Sequence, residues 1–155
     1  MTPAINIAQK NNIQYRIHEY IHESTTESYG LEAAEKLSVN AMRVFKTLVV
    51  MLDNEQLAVG VISVMCNLNL KLMAKALGAK KATMANPADV ERSTGYVLGG
   101  VSPLGQKKRL KTVVDVSALD HETIFVSAGR RGLEIELAPS DLQQLTQAAF
   151  VEISR

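Results

Sequence analysis

The sequence predicts an α+β fold in one domain spanning residues 1–155, with a mixed, mostly antiparallel sheet and helices around it. Three observations carry this expectation. Short β-rich runs and helical segments alternate irregularly, without the regular repeat of β-α-β units. Several of the runs are separated by turns short enough for hairpins, which allows the sheet to curl toward a barrel. A chain of 155 residues with 46% hydrophobic content can bury a core without disulfides or a structural metal. No repeat, low-complexity tract or Pro/Gly/Ser-rich linker marks a domain boundary.

The elements follow in order. Pro3 stands where a first helical turn tolerates proline, and Ala4, Ile7 and Ala8 recur at helical spacing until Asn11-Asn12 ends the helix. Ile13, Tyr15 and Ile17 alternate as a strand. A second helix runs from about Leu31 to Leu37, with Ser28 as its candidate cap. Val44 to Leu52 reads as a central strand, Asp53-Asn54-Glu55 as a turn, and Gln56 to Val64 as the antiparallel partner. Asn69 caps a helix with Leu72, Ala76 and Leu77 on one face and Gly78 at its end. A short strand at Ala82 to Met84 and a helix from Pro87 lead into a glycine-bearing loop, Ser93 to Gly105. Val113 to Val116, Thr123 to Ser127 and Leu133 to Leu137 are three further strands, the last two joined by Ala128 to Gly132. A helix from about Ser140 to Ala149 and a short strand, Val151 to Ile153, close the chain.

Composition narrows the function classes. Seventeen Lys+Arg against sixteen Asp+Glu leave a net charge of +1, so bulk charge decides nothing about nucleic acid. Its distribution is more telling. Lys107, Lys108, Arg109 and Lys111 form the densest basic stretch and Arg130-Arg131 a second pair, although a run of this size is by default a solvated face. The lone Cys66 cannot form an internal disulfide and fits a reducing, cytoplasmic setting. The N-terminus lacks a secretory apolar region, and no apolar run is long enough to cross a bilayer, so no membrane association is expected.

Candidate chemistry is sparse. His18 and His22 are four apart, but on a strand that spacing spans roughly 13 Å, too far for a shared metal. No metal or other cofactor is expected. Nothing resembles a nucleophile elbow, and no Cys/His pair is evident. Lys46 breaks the pattern of an otherwise apolar strand, where it is either an outward lysine or a cation lining a cleft, suited to a phosphate or carbonyl oxygen. The stretch Gly99-Gly100-Val101-Ser102-Pro103-Leu104-Gly105 lets backbone approach a ligand closely, but matches neither a Walker A nor a dinucleotide-binding pattern.

Taken together these pieces resemble the YbaK family of editing domains associated with prolyl-tRNA synthetase. The matching residues are Met1-Thr2-Pro3-Ala4, Phe45-Lys46-Thr47-Leu48, Ala74 to Lys81, Arg92-Ser93-Thr94-Gly95-Tyr96 running on through Gly99 to Arg109, and Gly132 to Leu137. The resemblance covers essentially the whole chain in order. It implies a sheet curled into a pseudo-barrel and a cleft for the aminoacylated 3′ end of a tRNA. It also implies removal of cysteine from mischarged Cys-tRNA(Pro), with prolyl-tRNA synthetase as partner and a monomer or weak dimer as the assembly. Lys46 matches the family's key lysine, while Tyr20, Tyr29, Thr47, Gly100, Ser127 and Glu134 fall at or near positions lining the cleft. Tyr29 stands where relatives have phenylalanine and Glu134 where they have aspartate.

On this reading Lys46 anchors the ester or a phosphate as a cation, and backbone N–H groups around Gly100, Val101 and Ser102 complete an oxyanion site, Pro103 having none to give. Ser102 could attack only with a base beside it. The absence of an evident protein nucleophile makes the substrate's own thiol the expected attacker. Lys107, Lys108, Arg109 and Lys111 become contacts to the acceptor stem or the synthetase. Two alternatives stand beside this: an Ala-tRNA(Pro)-type deacylase using water, and a non-catalytic module of the same fold that binds a nucleotide or tRNA end.

Overall fold

A computed structural model describes residues 1–23 and 28–155. Helix α1 (Pro3–Lys10) begins where Thr2 accepts a hydrogen bond from the Ile5 N–H, a cap worth about 1 kcal/mol. The Thr2 hydroxyl also donates to the Ala128 carbonyl, tying the chain start to a strand far along the sequence. Strand β1 (Tyr15–Glu19) follows, and helix α2 (Tyr29–Lys36) starts after Ser28. Ser28 occupies the cap position, but its side chain makes no capping bond.

The central pair is as expected: β2 (Phe45–Leu52) and β3 (Leu57–Ser63) run antiparallel, Lys46 opposite Ile62 and Thr47 opposite Val61. Helix α3 (Leu70–Ala76) is capped by Asn69, whose side chain accepts from the Leu72 N–H at 3.0 Å. Strand β4 (Ala82–Met84) pairs with β2, and helix α4 (Pro87–Thr94) ends on Gly95 in the left-handed region. Strands β5 (Lys111–Asp115), β6 (Ile124–Arg130) and β7 (Leu133–Leu137), helix α5 (Pro139–Thr146) and strand β8 (Ala149–Val151) complete the chain.

Two sheets result. One has the order β1-β7-β6, all antiparallel; the other, β4-β2-β3-β5-β8, is mixed, because β5 pairs parallel to β3 and β8 parallel to β5. A parallel bridge between Val44 and Phe125 joins the two. The class is α+β as expected, and the described strands form no closed barrel. No described helix is long and apolar enough to cross a membrane.

Two expected element bounds are corrected. Strand β6 does not stop at Ser127 but continues to Arg130 through a bulge, which absorbs Gly129 at φ +114. The last helix ends at Thr146, where Gln147 turns left-handed, so Ala149 opens the final strand instead of closing the helix. Between the sheets, Phe45, Val49, Val59, Val61, Val126, Ile135 and Leu137 pack with Ala4, Ile5 and Leu104 into the main core. A second core holds Val50, Ile62 and Met73 under α3. A third, around Phe125, Val44 and Val64, seats α2 through Ala33 and Ala34.

Candidate active site

A cleft of about 530 Å³ opens beside the bridge that joins the two sheets. Its walls come from the first residues of β2, from Ser127 on β6 and Glu134 on β7, from Tyr20 just past β1, from the start of α2, and from Leu98, Gly99 and Val101. Alternation explains the strand contribution. On β7, Leu133, Ile135 and Leu137 enter the core, which leaves Glu134 and Glu136 on the opposite face. On β6 the same rule sends Val126 inward and Ser127 outward, and the register sets Ser127 directly opposite Glu134.

Seven sequence-predicted residues meet here: Tyr20, Tyr29, Lys46, Thr47, Val101, Ser127 and Glu134. Lys46 is half-buried and makes no ion pair with a described residue. The Thr47 hydroxyl is buried with no hydrogen-bond partner among the described residues. Ser127 Oγ accepts from the Gly129 N–H at 3.1 Å, which leaves its own O–H free to donate. Glu134 is 7% exposed, and burial pushes its carboxyl up to about 8. It is therefore mostly protonated at neutral pH and can donate a hydrogen bond. Burial, then the neighbouring Glu134 and Glu32 carboxyls, hold the Tyr20 phenol up to about 12, so it too is a neutral donor.

Two expected residues do not belong to this surface. Ser102 is fully buried; its Oγ accepts from the Leu104 N–H at 3.2 Å and its carbonyl from the Gln106 amide at 2.9 Å. It does not line the cleft. Gly100 does not line the cleft, and its N–H is already given to the Val97 carbonyl at 2.9 Å. A Cβ there would meet the Arg130 backbone at 2.8 Å, so the glycine permits close packing of the loop on the β6 bulge. Of the expected oxyanion residues only Val101 faces the cleft.

The basic run lies elsewhere. Lys107, Lys108, Arg109 and Lys111 are all exposed, and none lines the cleft. His18 pairs with Glu136 at 2.9 Å and His22 with the buried Glu32 at 2.7 Å. Cys66 lies outside the cleft.

Sequence reasoning missed Leu98 and Arg131, and named Gly99 only as part of the glycine-bearing stretch. Gly99, at φ +87, is the loop glycine that faces the cleft, where a Cβ would meet Tyr29 Cε2 at 2.7 Å and also strike the Arg131 Nε. Arg131 lays its guanidinium over the Tyr29 ring, 4.4 Å from the centroid, and donates to the Leu98 carbonyl at 2.9 Å. In the sequence it is only half of a basic pair.

Comparison with known proteins matches this architecture. The model of the aminoacyl-tRNA editing domain family matches residues 23–145. EbsC of Enterococcus faecalis, which its name proposes as a Cys-tRNA(Pro)/Cys-tRNA(Cys) deacylase, is 38% identical over 99% of this chain and 93% of its own. ProXp-y of Escherichia coli K12, named a multifunctional Ser/Thr-tRNA deacylase, is 28% identical over 56% of this chain and 53% of its own. A crystal structure described as a proposed trans-editing enzyme for prolyl-tRNA synthetase superposes with a TM-score of 0.87 at 20% identity, covering 99% of this chain and 95% of the other. With the match spanning most of its length, this chain belongs to the aminoacyl-tRNA editing domain family, the YbaK-type deacylases of mischarged tRNA.

Proposed function

We propose that this chain is a cytoplasmic trans-editing deacylase that removes cysteine from Cys-tRNA(Pro), working beside prolyl-tRNA synthetase. A synthetase pocket cannot exclude an amino acid of similar size well, since one missing contact gives only about 10- to 200-fold discrimination, so a second hydrolytic check is needed. The observation that carries the reading is the set of polar groups in the cleft. They include the cations Lys46 and Arg131, the Thr47 and Ser127 hydroxyls and the neutral Glu134 carboxyl, with no nucleophile paired to a base among the described lining residues. Such a site can bind and polarise an ester but has nothing evident with which to attack it.

The substrate then attacks itself. The cysteinyl sulfur bonds to the ester carbonyl carbon, the bond from that carbon to the ribose oxygen breaks, and the thiol proton ends on the released ribose hydroxyl. The four-membered thiolactone hydrolyses to cysteine in solution. Lys46 stabilises charge on the carbonyl oxygen or on a neighbouring phosphate. Protonated Glu134, with Tyr20 and Ser127, offers hydrogen bonds that hold the aminoacyl group. A volume of about 530 Å³ falls in the usual range of about 300–1,000 Å³ for small-ligand pockets.

Thr47 favours a second reading. Its unpartnered hydroxyl could pair with the side chain of a seryl or threonyl ester, in keeping with the partial likeness to ProXp-y, and water would then be the attacker. A deacylation panel of Cys-, Ser-, Ala- and Pro-tRNA(Pro) with Cys-tRNA(Cys) separates the two. The first reading expects cleavage of cysteinyl esters only, and the second expects Ser-tRNA to be cleaved at least as fast.

A further inference from the structure

We propose that Arg131, held on the ring of Tyr29, forms a rim subsite for the 5′-phosphate of the terminal nucleotide that bears the aminoacyl ester; this rests on the deacylase reading. Among the described residues lining the cleft, two carry positive charge: half-buried Lys46 on β2 and exposed Arg131 at the edge. Arg43, Arg92 and Arg130 each face a carboxylate, namely Glu136, Asp89 and Glu19. Arg131 has no carboxylate partner among the described residues. Stacking on Tyr29 and one bond from Nη2 to the Leu98 carbonyl fix the plane of its guanidinium, and most of its five N–H donors remain for a ligand.

The loop makes room for this arrangement. Gly99 adopts a left-handed conformation where any side chain would strike both Tyr29 and Arg131. A planar fork with its orientation already set matches phosphate bidentately and loses little freedom on binding. With the ester at Lys46, the nearest anion of the substrate is the phosphate of the same nucleotide, and the basic run at residues 107–111 is not on this surface. Arg131 is thus a positioning residue that sets where the terminal nucleotide lies.

The test is a binding titration with 3′-cysteinylamido-adenosine, an amide that resists cleavage, prepared with and without a 5′-phosphate. The wild-type protein should bind the phosphorylated form about tenfold more tightly, as expected for a charge-assisted bidentate contact. Arg131→Ala should abolish that preference, and Arg131→Lys should keep only part of it. Tyr29→Phe, which keeps the ring, should retain it. A wild-type protein without the preference, or an Arg131→Ala protein that keeps it in full, overturns the subsite. Because the readout is binding, it separates from the deacylase reading. An Arg131-dependent preference in a protein that cleaves no charged tRNA would overturn only the activity, and cleavage without the preference only the subsite.

Discussion

The glycine-bearing loop at residues 93–105 and the strand ends facing it divide the labour of the cleft unequally. The loop is the most distinctive stretch of the sequence, yet most of it is buttress. The Tyr96 hydroxyl donates to the Leu104 carbonyl at 2.6 Å, Ser102 bonds within the loop, and Gly105 lies so close to α1 that a Cβ would meet the Pro3 carbonyl at 2.6 Å. Only Leu98, Gly99 and Val101 reach the cleft. The strands, by contrast, contribute Lys46 and Thr47 near the start of β2, Ser127 within β6 and Glu134 on β7. Rigid strands set the chemistry, and the loop sets the shape of the mouth.

That contrast predicts where damage falls. Lys46→Ala should lower deacylation by about 10²- to 10³-fold, the usual cost of removing one charge-stabilising donor, while the thermal midpoint hardly moves. Near wild-type activity in the folded variant would remove the strand wall from the account. Glu134 gives the next largest effect, on stability. Its folded pKa of about 8 lies above the ordinary carboxyl value, so the folded state holds the proton after the unfolded state has lost it. The contribution of the protonated form is complete below about pH 4.5 and is lost as the pH rises to 8. Glu134→Gln should therefore gain on wild type by a few kcal/mol, in order of magnitude, between pH 5 and 8. Melting curves that stay parallel across that window would show the carboxyl to be better solvated than its burial implies.

The loop glycines sharpen the comparison. Gly100→Ala should cost about 1–3 kcal/mol of stability, because its methyl presses on the Arg130 backbone. Gly99→Ala should cost stability too, because alanine is strained at φ +87, but it alone should also raise KM, because its methyl displaces the Tyr29 and Arg131 side chains at the mouth. Thermal melts and steady-state kinetics on the pair would sink this division if both variants lost activity with unchanged stability. The smallest effect belongs to Lys107→Ala with Lys108→Ala. If both residues touch phosphates, the slope of log affinity against log salt should fall by roughly 0.7–0.9 per contact. An unchanged slope would make this run an ordinary solvated face.

The sequence made the central hairpin legible because β2 and β3 combine β-rich composition with a short turn, and it exposed Lys46 because a charge in an apolar strand is visible without coordinates. Glu134 was visible only through the family resemblance. Its chemistry depends on burial, which pattern alone cannot measure. Ser102 and Gly100 fall outside the cleft lining for a related reason: a glycine-rich segment signals close approach, and at Gly100 the approaching surface is the β6 bulge. Arg131 stayed hidden because its meaning comes from Tyr29, about a hundred residues earlier in the chain and adjacent only after folding. The end of β6 was misplaced because a bulge at Gly129 lets a strand continue through what reads as a turn.

The central claim is that the substrate supplies the nucleophile, and the most direct measurement compares Cys-tRNA(Pro) with Ser-tRNA(Pro) at saturating concentration. The two esters differ by one atom, a thiol of pKa about 8.5 against a far less acidic hydroxyl, and the cleft should admit both. The account predicts rapid release of cysteine and almost none of serine, with Ser-tRNA(Pro) still competing for the site. Comparable rates for the two would contradict it, because water or a protein group would then be attacking the ester.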